Sequence, residues 1–134
     1  MDNSNEATRK RIGFLSFGAW HSGGGMTHTG SDALRQTVEL AVAAEQIGIN
    51  GAFVRVHHFA RRLGSPFPLL AAIGVKTSRI EIGTGVIDMR YENPYYMVED
   101  AGAADLIAGG RLQLGISRGS PEQVIDVRSN QMGH

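Results

Sequence analysis

Two adjacent histidines, His57 and His58, are the residues of this 134-residue chain best suited to acid–base chemistry. They directly follow the apolar run GAFVRV at residues 51–56. An imidazole titrates near neutral pH and can therefore hold a proton or pass it on during a reaction. The alternative is a structural histidine that is merely hydrogen-bonded under a loop. The residue type alone does not separate the two interpretations.

Glycine-containing segments follow two further apolar runs. Gly83, Gly85 and Val86 belong to the segment GTGV, which lacks the third glycine and the immediately following helix of a dinucleotide-binding fingerprint. Its small residues either leave room for a ligand or let two backbones approach closely. In the segment SRGS, Arg118 follows Ser117 and lies beside a predicted helix start, where a fixed positive charge and free backbone N–H groups suit an anion. An ordinary surface arginine is the alternative.

Other kinds of site find little support. His21 and His28 could join the histidine pair around a metal ion, but no Asp or Glu lies beside them at ligand spacing, so we predict no metal site. The chain also contains neither a P-loop, with its Gly-x-x-x-x-Gly-Lys-Ser/Thr pattern, nor a nucleophile elbow. The sequence therefore does not support phosphoryl or acyl transfer.

The composition excludes several classes of partner. Thirteen basic residues balance thirteen acidic residues, and no long run of one sign suggests a nucleic-acid groove or an anionic membrane surface. The chain has no cysteine for disulfides, and no stretch approaches the ~20 apolar residues of a membrane span. We therefore expect a soluble, cytoplasmic protein that binds neither nucleic acid nor membrane.

The candidate residues would be positioned by alternating strands and helices. The second helix, 66–77, is apolar nearly all round, which predicts cover on two sides. Leu34, Val38, Ala41, Val42 and Glu45 are expected on one side of the first helix, which is mostly apolar and therefore faces the core. Strands are predicted at 11–17, 51–56, 79–86 and 111–116, and the helix starts at Ser31, Ser65-Pro66, Asn93-Pro94 and Ser120-Pro121. This order predicts a parallel α/β sheet with right-handed crossovers, either doubly wound or half of a barrel.

Three long segments together resemble bacterial luciferase and its flavin-dependent monooxygenase relatives. They are AAEQIGINGAFVRVHHF, SPFPLLAAIGVKTSRIEIGTGV and NPYYMVEDAGAADLIAGGRLQLGISRG, and the resemblance covers residues 11–126. It implies half of a (β/α)₈ TIM barrel, in the order β1-α1-β2-α2-β3-α3-β4 with the start of α4. A full barrel needs ~250 residues. We therefore expect a truncated chain, with a flexible polar tail at 1–10 and an off-pattern tail at 127–134.

The resemblance also implies roles for the candidate residues. His57 would lie beside the flavin and assist proton transfer, with His58 as the second catalytic histidine. The bond between Gly85 and Val86 would be a cis peptide that supports the isoalloxazine ring. Arg118 would bind the flavin phosphate, and Ser117 would approach the reactive edge of the ring. The chain departs from the pattern at one position, since relatives commonly carry an acidic residue where this sequence has Val56.

The implied function is a flavin-dependent monooxygenase or oxidoreductase that uses reduced FMN and O₂ on an aldehyde or similar small molecule. Deazaflavin F420 is the alternative cofactor, and a flavin reductase is a possible partner that would supply the reduced FMN. A homodimer or higher oligomer is expected through the helices at 66–77 and 94–107. The alternative function is a non-catalytic, flavin-binding or structural half-barrel that serves as a dimerisation module.

Overall fold

The alternating apolar runs and capped helices fold into a single parallel sheet with a layer of helices. The computed structural model describes residues 9–21 and 28–119. The elements are β1 (Gly13–Ser16), α1 (Gly30–Gln46), β2 (Gly51–Val54), α2 (Pro66–Lys76), β3 (Glu81–Asp88), a 3₁₀ turn (Met89–Tyr91), α3 (Pro94–Ile107) and β4 (Leu112–Ser117). The predicted fourth helix start at Ser120 and the predicted tail at 127–134 lie outside the described residues, as do residues 1–8.

The strand order decides between the two predicted kinds of sheet. The strands lie in the order β1-β2-β3-β4, and each pairs in parallel with the next. Right-handed crossovers between sequential neighbours put every helix on the same face, whereas a doubly wound sheet reverses its order. Accordingly, α1 packs on α2 and α2 packs on α3. The α/β fold is therefore a part of a barrel.

Local capping chemistry explains the helix starts, with two corrections. Asn93 caps α3 as predicted, because its side chain accepts hydrogen bonds from the N–H groups of Tyr95 and Tyr96. The cap of α1 is Thr29 rather than Ser31, because Thr29 and Asp32 form a reciprocal capping box. Ser65 precedes α2, but its side chain makes no capping hydrogen bond.

The core lies between the sheet and the helices. Its largest fully buried side chains include Leu70, Ile73, Ile80 and Ile82. On α1 the buried side consists of small residues, namely Ala33, Thr37, Ala41 and Ala44. The prediction for Leu34 was wrong, since this side chain is 45% exposed. The small residues of α1 face the core, and Leu34 lies outside that buried side.

The opposite face of the sheet is the inner face of the barrel, and glycines shape it. A side chain added at Gly51 or Gly83 would meet the ring of Phe53, and one added at Gly85 would meet Leu15 and the Cβ of Phe53. Phe53 therefore covers the bare backbone of Gly51 on its own strand and of Gly83 and Gly85 on the neighbouring β3. Leu15 remains 41% exposed on this face.

Two charged side chains join the elements at the N-terminal end of the strands. Glu45 accepts hydrogen bonds from the backbone N–H groups of Ser78, Arg79 and Ile80. Burial raises the pKa of Glu45, but these hydrogen bonds outweigh burial and lower its pKa from 4.5 to about 2. Arg111 donates to the backbone oxygens of Gly74, Thr77, Ile80 and Ala108 and to the Thr77 hydroxyl.

Candidate active site

The predicted site residues lie at the same edge of the sheet. His57, Val86 and Arg118 belong to the C-terminal ends of β2, β3 and β4 or to the segments that follow them. Because these neighbouring strands run parallel, their carboxyl ends meet at one edge, which is where barrel enzymes place their active sites. The register aligns Asp88 with Ser117, one residue before Arg118.

The two adjacent histidines have different surroundings. The backbone N–H of His57 donates to the carbonyl of Leu63, which ties the histidine segment to the following loop. The Nε2 atom of His58 lies 3.0 Å from Oε1 of Glu92, and the side chains are only 18% and 17% exposed. The two atoms do not meet the geometry of a hydrogen bond, and the contact is an ion pair only when the imidazole is protonated. His58 therefore turns toward the loop after β3.

Aromatic rings enclose His58. Its ring centroid lies 5.5 Å from that of Tyr91 and 5.9 Å from that of Phe59. Phe59 has a φ of 58°, a left-handed conformation that is uncommon for a bulky residue. The hydroxyl oxygen of Tyr91 is buried and has no hydrogen-bond partner among the residues that the structure describes. The imidazole thus packs against two aromatic rings and lies beside the carboxylate of Glu92.

Val56, where the resemblance implies an acidic residue before the histidine pair, is buried among apolar side chains. Val56 is 5% exposed and packs with Phe67, Ile87 and Met97 on the helix side of the sheet. A carboxylate there would be buried among apolar side chains. Glu92 instead brings a carboxylate to the histidine pair from the loop after β3. Sequence analysis missed Glu92 because it lies 34 positions from His58 and in no motif.

The segment Gly83–Val86 forms an irregular point in the sheet. The pairing of β3 with β4 shifts register between Thr84 and Ile87, and the peptide bond between Gly85 and Val86 is cis, as the resemblance implies. The Thr84 hydroxyl donates to the carbonyl of Gly115 and accepts from its N–H, at 2.8 and 3.0 Å. One side chain therefore satisfies both backbone groups of Gly115 at the irregularity.

A buried ion pair closes the end of β3. Asp88 is 7% exposed, and its carboxylate accepts hydrogen bonds from the backbone N–H and the guanidinium of Arg90. The guanidinium hydrogen bonds lower the pKa of Asp88, outweighing the opposing effect of burial. Asp88 is therefore ionised at neutral pH. Sequence analysis gave this pair no role, although the alternating charges of Asp88, Arg90 and Glu92 directly after a strand were a usable signal.

Positive charge is concentrated at this edge. Arg118 is exposed, whereas Ser117 is half-buried and its hydroxyl accepts a hydrogen bond from the N–H of Gly119. On the β1 side, the guanidinium carbons of Arg55 and Arg62 each lie 6.0 Å from the ring centroid of Phe17. These guanidiniums could attract an anionic ligand, and the apolar ring of Phe17 beside them is 46% exposed.

A groove beside this edge shares Arg62 with it. This groove of about 510 Å³ between α1 and α2 is lined mainly by apolar residues such as Trp20, Leu34 and Leu69, and by none of the predicted site residues. Within residues 9–21 and 28–119, no cluster of three metal-binding side chains occurs. None of the described helices is long and apolar enough to cross a membrane.

Comparison with known proteins identifies relatives of this chain. The family model described as luciferase-like monooxygenase matches residues 13–132. Protein YwcH of Bacillus subtilis (strain 168) is 39% identical over 88 residues, which cover 64% of this chain and 26% of YwcH. The 4-hydroxyprotoasukamycin monooxygenase of Streptomyces nodosus subsp. asukaensis is 34% identical over 111 residues, which cover 79% of this chain and 29% of that enzyme.

Solved structures show the same fold. The oxygenating constituent of 3,6-diketocamphane monooxygenase from Pseudomonas putida, solved in complex with FMN, superposes with a TM-score of 0.72 at 22% identity. The match covers 92% of this chain and 32% of that protein. The chain thus spans about a third, or somewhat less, of the length of these relatives. Because the family model covers nearly the whole sequence, the chain belongs to the luciferase-like monooxygenase family.

Proposed function

We propose that this chain provides the reduced-FMN site of a flavin-dependent monooxygenase that acts on an aldehyde or similar small organic substrate. The main support is that the histidine pair, the Gly85–Val86 segment and Arg118 follow parallel neighbouring strands at one edge of the sheet. In the overall reaction, one oxygen atom of O₂ converts the aldehyde to the acid. The other oxygen leaves as water with two hydrogens from the reduced flavin.

The residues present fit such a cofactor. Leu15, Phe53 and the bare backbone of Gly85 form an apolar inner surface on which a flat ring can lie. Bound flavin would supply the electrons for oxygen activation. Arg118 would pair with the phosphate, Ser117 would approach the ring, and His57 would hold or release the proton. His58, tied to Glu92, would keep the histidine segment in place.

Reduced FMN would come from a separate flavin reductase, and this coupling is expected in the cytoplasm. The experiment supplies the chain with FMN, NADH and a flavin reductase, and measures conversion of a straight-chain aldehyde to its acid. We expect acid formation that depends on the chain and falls at least tenfold in His57→Ala, in line with the usual 10²–10⁴-fold contribution of acid–base catalysis. Acid formation equal to that of reductase alone would contradict the enzyme.

A non-catalytic dimerisation module is the second candidate, and the exposed apolar surface of the helices is compatible with it. Val75, Tyr95, Val98 and Leu106 are large apolar side chains of α2 and α3 that are at least 65% exposed. Such a patch is typical of an interaction surface, and we propose that α2 and α3 form a homodimer interface in either candidate. Sedimentation should show a dimer that Val98→Glu dissociates. A wild-type monomer would contradict this interface, and FMN binding without turnover would favour the module.

A further inference from the structure

The ion pair between Asp88 and Arg90 contacts the segment that follows β4 at Gly119. The Nη2 and Nε atoms of Arg90 approach Oδ2 of Asp88 at 2.8 and 3.2 Å, and the backbone N–H of Arg90 donates to Oδ1 at 2.9 Å. The pair is therefore a fixed unit that combines two side-chain contacts with a backbone contact. Its carboxylate is almost completely buried, and the Arg90 side chain is 32% exposed.

The backbone of Gly119 packs directly against this ion pair. A Cβ atom added to Gly119 would collide with the carboxylate of Asp88 and with the guanidinium of Arg90. Gly119 also has a φ of +72°, which favours glycine, and its N–H donates to the Ser117 hydroxyl. The register pairs Asp88 with Ser117 on the other side of Arg118. Both neighbours of Arg118 are thus held against the end of β3.

We infer that Asp88, through its ion pair with Arg90, is a positioning residue that sets the place of Arg118 for the phosphate of the flavin. The inference rests on the proposed function and deepens it. Arg90 also balances the negative charge of Asp88, which would otherwise oppose a phosphate at this edge. The binding affinity of a phosphate-bearing flavin should therefore depend on the Asp88–Arg90 ion pair. The affinity of riboflavin, which has the same ring and no phosphate, should not.

The binding experiment compares FMN with riboflavin, using the 134-residue chain. Dissociation constants are measured for wild type, Asp88→Asn and Gly119→Ala. Gly109→Ala is the matched control, because Gly109 has a similar φ of +66° but an added Cβ there meets nothing within 4 Å. We expect FMN to bind about tenfold more weakly to Asp88→Asn and Gly119→Ala, with riboflavin unchanged, as for loss of a charge-assisted contact. Unchanged FMN binding in both variants would overturn the inference.

A second measurement does not need flavin. Hydrogen exchange is followed at the Gly119 amide, which donates to Ser117, and at the Gly109 amide, which donates to Leu106. Asp88→Asn should accelerate exchange at Gly119 about tenfold and leave Gly109 unchanged. Equal exchange at Gly119 in wild type and variant would overturn the positioning role. If wild type binds no FMN, the proposed function fails, while the exchange result still decides the role of Asp88.

Discussion

The Nε2 atom of His58 lies 3.0 Å from Oε1 of Glu92, and this contact joins the end of β2 to the loop after β3. Both side chains are more than four-fifths buried. Polar groups in such surroundings depend on each other, because the loss of one partner leaves the other poorly solvated. The contact therefore holds the histidine segment at the edge where the predicted site residues meet.

Glu92→Gln tests this contact. The substitution keeps the shape of the side chain and removes its charge, so we expect the free energy of unfolding to fall by about 1–2 kcal/mol in urea denaturation. Glu99→Gln, an exposed position on α3, is the control and should change stability little. A double-mutant cycle with His58→Asn should give a coupling energy of about 1 kcal/mol. Strictly additive effects would show that the two side chains do not interact.

Glu45 predicts a specific loss of stability in acid. Its pKa is lowered from 4.5 to about 2 in the folded chain, so its stabilising effect is complete above about pH 4.5 and is lost as the pH falls through about 2. The Glu45→Gln variant should have a free energy of unfolding about 1–3 kcal/mol lower than wild type at neutral pH. Its stability should also change less with pH between 4.5 and 2. Glu39→Gln, exposed on the same helix, should follow wild type. Parallel profiles for Glu45→Gln and wild type would refute the assignment.

Thr84→Val should be costly although it nearly preserves side-chain volume. It removes the hydroxyl that satisfies both backbone groups of Gly115, and we expect a loss of about 1–3 kcal/mol. Thr37→Val is the matched control, because the buried Thr37 hydroxyl donates only to the carbonyl of Ala33 within α1. Urea denaturation of both variants measures the difference. If Thr37→Val proves as destabilising as Thr84→Val, the special role of Thr84 is wrong.

Arg111→Lys should destabilise the chain despite keeping the charge. The guanidinium makes five hydrogen bonds that join the ends of α2 and α3 to the start of β3, and an ammonium cannot reproduce its planar fork. We expect thermal and urea denaturation to show a loss of about 1–3 kcal/mol. Arg35→Lys, on the exposed side of α1, provides the reference, and an equal effect in both variants would contradict the role of Arg111.

Local sequence signals predicted most of the strands and helices. The cap at Asn93 and the proline after it predict the start of α3, because their effect depends only on neighbouring residues. The prediction named Ser31 as the cap of α1, whereas the reciprocal hydrogen bonds of the capping box join Thr29 and Asp32. The exposure of Leu34 depends on which side of α1 faces the core, and the helical period of apolar residues did not predict that the small residues Ala33, Thr37, Ala41 and Ala44 form this side.

The candidate site was predictable in outline only. The sequence predicted that His57, Val86 and Arg118 lie at one edge of the sheet, because each belongs to the C-terminal part of a predicted parallel strand or follows it. The contacts of His58 with Glu92 and of Gly119 with Asp88 join residues about 30 positions apart. No periodicity or motif encodes such pairs, so they required the three-dimensional structure.

The most direct test of a flavin site at this edge is an equilibrium titration of the chain with FMN, riboflavin and F420. Wild type should bind FMN saturably with a dissociation constant at or below tens of micromolar, about −6 to −8 kcal/mol. Arg118→Ala should weaken FMN binding about tenfold and leave riboflavin binding unchanged, because only FMN carries the phosphate. Absence of FMN binding at several hundred micromolar, or equal FMN affinity in wild type and Arg118→Ala, would contradict the account.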